Sequence, residues 1–97
     1  MKKVNLIASA KISIMDSHEN AIILIFKNAD AGFSGLCVQG SSLSELFKGK
    51  TEREPYDACR DWFSEHQDGF LDVKTLDLQD SQVKRALARS EELLKSL

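Results

Sequence analysis

The sequence predicts an α+β domain, a small antiparallel sheet of about four strands packed with two to three helices. Three observations predict it. Residues 4–15 and 21–27 alternate with the period of two that strands show, the helical segments after Pro55 and Asp80 repeat with the 3.6-residue period, and turn-forming residues separate the segments. The 97 residues are 42% hydrophobic and 29% charged with one proline, the composition of an ordinary folded chain of one domain, residues 1–97.

The first strand begins at Val4. Val4, Leu6, Ala8, Ala10, Ile12 and Ile14 share one parity and Asn5, Ile7, Ser9, Lys11, Ser13 and Met15 the other, which describes a half-buried strand. Residues 16–20 form a polar loop, and residues 21–27 return as a second strand. There Ile22, Leu24 and Phe26 face one way while Ile23 and Ile25 face the other, so both faces need cover and the strand belongs in the middle of its sheet. Residues 28–32 make a turn. Residues 33–39 follow as a third strand, with a bulge expected at Gly35, where no side chain packs.

Ser42 and Glu45 stand at capping-box spacing, so a short helix closed by Gly49 is expected. The next helix takes Pro55 in its first turn, where a missing N–H costs nothing, and ends at Gly69. Tyr56, Cys59, Trp62, Phe63 and His66 cluster on one side of it as a largely apolar face. Residues 70–78 read as a strand, although Asp72, Lys74 and Asp77 interrupt both parities. Asp80 then caps a final helix carrying Val83, Ala86, Leu87, Leu94 and Leu97 on one stripe, with Glu91 and Lys95 as an i,i+4 pair. The element order is βββααβα.

Several classes of chemistry are missing. Cys37 and Cys59 occur in no paired motif, and as two small buried hydrophobes they suit a reducing cytoplasm. Lys2 and Lys3 precede an apolar run with the look of a leader, but that run of about five residues, broken by Asn5, falls short of the roughly 7 needed. The longest apolar run, residues 21–26, is far below the ~20 residues that cross a bilayer. The expectation is a cytoplasmic protein. No glycine-rich phosphate loop, G-x-S-x-G or H-E-x-x-H occurs. His18 stands in a loop beside Asp16 and Glu19, and Cys59 and His66 share a helix face at a separation of about 10.5 Å, beyond direct pairing. No catalytic residue, metal or cofactor is therefore expected.

The net charge of -2 conceals a block structure. Residues 1–50 carry six bases against four acids, residues 51–80 three bases against nine acids, and the last seventeen residues four bases against two acids. The acid concentrates on the Pro55 helix. With Glu54 as origin at about 100° per residue, Asp57 falls near ~300°, Asp61 near ~340°, Glu65 near ~20° and Asp68 near ~320°. All five lie within about 80°, on the edge opposite the apolar face, with consecutive carboxylates about 5–6 Å apart. Like charges at this spacing destabilise a helix by about 0.2–0.5 kcal/mol per pair, and the helix dipole compensates only Glu54 and Asp57. Arg60, at about 240°, lies off the row.

A solvated acidic face is the bland account of such a row. The functional expectation is a docking stripe, Glu54, Asp57, Asp61, Glu65 and Asp68, on a small non-catalytic protein that occupies the basic surface of a nucleic-acid-handling protein such as a nuclease. Inhibitors, immunity proteins, antitoxins and phage-borne DNA mimics work by this logic. Two further readings exist. Lys84, Arg85 and Arg89 with Lys2 and Lys3 offer a weak direct nucleic-acid surface, thin for such modules. A homodimer is the other, paired through the C-terminal helix or through the sheet edge, where a bare first strand is an aggregation liability.

Overall fold

A computed structural model describes residues 5–14, 19–29, 31–65 and 71–95. Six strands and two helices follow one another as β1 (Asn5–Ile14), β2 (Asn20–Lys27), β3 (Phe33–Gln39), β4 (Ser42–Leu43), β5 (Phe47–Gly49), α1 (Arg53–Glu65), β6 (Leu71–Thr75) and α2 (Ser81–Leu94). All pairings are antiparallel, in the order β4-β3-β2-β1-β6, with β5 also pairing with β3. The α+β class stands as the sequence predicts, with more strands and one helix fewer than its element order.

Strand β2 occupies the centre because every side chain of its apolar run is buried. Ile23 and Ile25 join Ile12 and Ile14 of β1, Cys37 of β3, and Cys59 and Phe63 of α1 in one core. Ile22, Leu24 and Phe26 join Leu36 and Val38 of β3, and Val83 and Ala86 of α2, in a second. Successive strand residues point to opposite faces, so α1 and α2 cover opposite faces of the sheet in three layers.

Three local expectations change. The bulge falls in β1, not at Gly35: Leu6 pairs with Phe26 and Ala8 with Ile25, which leaves Ile7 as the extra residue. The parity of β1 flips there, so Leu6 packs on the α2 side while Ala10, Ile12 and Ile14 face α1. Gly35 instead pairs regularly with Ile25. A Cβ at Gly35 would stand 2.7 Å from the Pro55 Cβ, so glycine lets α1 settle onto the sheet.

The short helix at residues 42–49 does not form. Ser44 docks on the edge of β3 instead. The Cys37 N–H donates to Ser44 Oγ (2.9 Å), and the Ser44 N–H donates to the Cys37 carbonyl (2.9 Å). Residues 47–49 then pair with residues 33–35 as β5. Two further details concern α2. Asp80 caps it as expected, accepting the Gln82 N–H at 2.8 Å, but Lys95 meets Glu92 (3.5 Å) rather than Glu91. Gly69, His66, Leu97 and residues 16–18 lie outside the described residues.

Candidate functional site

Helix α1 starts at Arg53, with Pro55 in its first turn, and its seating fixes where its acids point. Its buried residues are Pro55, Cys59 and Phe63, at about 100°, ~140° and ~180° on the helical wheel. Glu54, Asp57, Asp61 and Glu65 span about 300° through ~20°, directly across the helix from that face. Glu54, Asp61 and Glu65 are exposed and Asp57 is half-exposed. The structure therefore brings four of the expected carboxylates together on one solvent face. The fifth, Asp68, lies outside the described residues.

The four are not equivalent. Glu54 reaches back to accept the Lys50 N–H through Oε1 at 3.2 Å, which ties it to the loop before the helix. Asp57 meets Arg53, Oδ2 to Nε, at 3.5 Å, the Arg53 side chain largely in water and that of Asp57 about half so. Among the described residues, Asp61 and Glu65 make no ion pair, and no basic residue stands in the last turn to offset them. Arg60 lines a depression of about 310 Å³ together with Asp57, Asp61, Ser64 and Leu71 of β6. Its guanidinium lies 6.0 Å from the centre of the Tyr56 ring, and its buried Nε has no hydrogen-bond partner among the described residues. Arg60 thus stands beside both the Tyr56 ring and the middle of the row, and among the described residues it makes no ion pair with Asp61 or Glu65.

A neighbouring cleft of about 410 Å³ opens between the start of α1 and the β1 side of the sheet. Ala8, Ala10, Ile23 and Ile25 contribute to its floor, and Arg53 and Tyr56 to its helix side. The signal for it is the pair of alanines in β1, which leave room where neighbouring strands carry isoleucine. Only the tertiary structure shows that Tyr56 overhangs them.

The other candidate groups separate. On α2, Arg85 and Arg89 lie about 40° apart, but Lys84 stands about 100° from Arg85, so the three bases make no single row. Arg89 Nη1 also donates to the Gly40 carbonyl, across the turn between β3 and β4. Both cysteines are free and fully buried in the core under α1. Burial pushes the Cys37 thiol up to about 12; the Cys59 thiol is also raised, by burial first and then by its neighbour Cys37. Neither is a nucleophile in this state. Among the described residues, no group of three or more His, Cys, Asp or Glu is placed to hold a metal ion, and no helix is long and apolar enough to cross a membrane. Compared with models of known protein families, with characterised proteins and with solved structures, the chain matches none.

Proposed function

We propose that the chain is a small non-catalytic binding module that docks on a basic surface of a partner protein through the exposed acidic face of α1. The observation that carries this reading is the placement of Asp61 and Glu65, exposed and, among the described residues, without an ion pair, directly across the helix from Cys59 and Phe63. Asp57 with Asp61, and Asp61 with Glu65, are i,i+4 like-charge pairs that cost about 0.2–0.5 kcal/mol each. Glu65 additionally sits in the last turn, against the helix dipole. A partner bearing lysines or arginines removes both costs at once. The single sign of the row also steers such a partner during encounter. Proteins that grip nucleic acid carry the complementary basic surface, and an inhibitor or immunity-type protein would occupy it.

The decisive variant is D61K. It turns both i,i+4 repulsions into attractions, so the folded domain should gain about 1 kcal/mol in urea denaturation. The same change breaks the middle of the docking row. Immobilised wild-type protein should retain basic, nucleic-acid-binding proteins from the source cell in a salt-sensitive way, and D61K should release them. Retention of the same proteins by a stably folded D61K would sink the reading.

A further inference from the structure

Strand β6 closes one end of the sheet. It pairs with β1 from Ala10 opposite Thr75 to Ile14 opposite Leu71, and among the described residues nothing pairs with its outer side. The direction of its free backbone groups follows from one hydrogen bond. The Leu76 N–H donates to the Ser9 carbonyl at 3.0 Å, one step beyond the Thr75–Ala10 pair in the same register. In an antiparallel ladder the residues that bond inward alternate with those that bond outward. Asp72 and Lys74 therefore bond toward β1, and Leu71, Val73 and Thr75 present their N–H and C=O groups to the open edge.

We propose that this edge binds a second copy of the chain, β6 against β6 in antiparallel fashion, with a two-fold axis at Val73. The charge pattern of the strand is self-complementary about that residue. Val73 faces Val73 across the axis, Leu71 faces Thr75, and Asp72 of each copy faces Lys74 of the other, twice by symmetry. Outward-bonding Leu71, Val73 and Thr75 supply about six backbone hydrogen bonds in this register. Centring the axis on Asp72 or on Lys74 sets like charges face to face, so charge selects one register.

A second observation points the same way. Lys11 stands directly opposite Lys74 on β1, a like-charge cross-strand pair that destabilises a lone sheet. Among the described residues, Lys11, Asp72 and Lys74 make no ion pair. In the paired form, Asp72 of the second copy falls beside Lys74, in line with Lys11, and relieves that repulsion. The charges that blunt this short edge toward other strands thus match it to itself. The axis runs perpendicular to the joined sheet, so both α1 helices share one face and present two acidic rows.

A five-residue strand makes a small interface, so the dimer should be weak and reversible. Sedimentation equilibrium from micromolar to millimolar protein should show mass action between the 10.8 kDa chain and its dimer. D72K sets lysine against Lys74 and should abolish the dimer, and D72K/K74D should restore it. V73P removes one outward N–H, which an edge strand tolerates, and should also abolish the dimer, with circular dichroism showing the fold retained. A chain that stays monomeric at millimolar concentration overturns the proposal and leaves the edge to a strand of another protein. A dimer that survives V73P overturns it too, since the contact then lies elsewhere. Because Asp72, Val73 and Lys74 lie outside the acidic row of α1, failure here leaves the docking proposal untouched.

Discussion

At the residue scale, the positions that matter most to the fold are those where one atom decides a contact. Gly35 is one. An added methyl meets the Pro55 Cβ at 2.7 Å, and the Pro55 carbonyl and Ile25 Cδ1 at 3.1 Å, so Gly35→Ala should destabilise the domain by about 1–3 kcal/mol, read by urea denaturation. The sequence marks Gly35 as unusual within a strand, but it cannot distinguish a bulge from a close approach, because both remove the same side chain. The two core cysteines supply a pH signature. Burial raises the Cys37 thiol from 9.0 to about 12 and raises Cys59 as well. Their stabilising effect is complete below the unfolded-state value. Above about pH 9 the unfolded chain loses thiol protons that the native core retains, so stability falls by about 1.4 kcal/mol per pH unit for each thiol. Denaturation curves from about pH 9 to about pH 11 should show C59A with a decline shallower by about that amount per unit than wild type.

Elements differ in how much of their formation is local. Helix α2 is legible in sequence because an Asp80 cap and a 3.6-residue apolar stripe agree, and the structure keeps both. Its stripe is completed by Ser90, a buried polar residue that donates to the Ala86 carbonyl at 2.8 Å and so needs no other partner. Replacing Asp80 by alanine leaves the Gln82 N–H without its acceptor, at a cost of about 1 kcal/mol in thermal or chemical unfolding. Residues 42–49 show the opposite case. Their Ser42–Glu45 spacing suits a helix N-terminus, yet an isolated helix this short is marginal. The open edge of β3 offers the same backbone more partners: Ser44 satisfies both backbone groups of Cys37, and β5 pairs with residues 33–35. The competition is settled by pairing with a strand up to 16 residues upstream, Gly49 opposite Phe33, which periodicity within the window cannot register.

For the whole molecule, the arrangement of layers sets both proposed surfaces. The central strand turns one set of side chains to α1 and the other to α2, and each helix spends its apolar face on one core. What remains of α1 is the acidic face, exposed because Pro55, Cys59 and Phe63 are committed to the sheet. The same topology corrects the sequence-based picture of a dimer. The long β1 is flanked by β2 and β6 and is no bare edge along residues 10–14; beyond it, among the described residues, the shorter, charged β6 has a free edge. Docking on a basic partner and self-association through β6 use separate residues, so D61K and V73P should affect one without the other. Paired measurements of partner capture and sedimentation on both variants read that independence directly.

By itself the sequence determined what depends on nearest neighbours along the chain. It determined the doubly buried second strand, the Asp80 cap, the Pro55 start of α1 and the angular row of carboxylates, since the periods of strand and helix are local geometry. Tertiary structure alone decided where the bulge lies, whether residues 42–49 coil or pair, and which strand is left at the edge. Each of these is a choice between partners distant in sequence, made by which backbone groups and faces remained to be satisfied once the central strands had assembled.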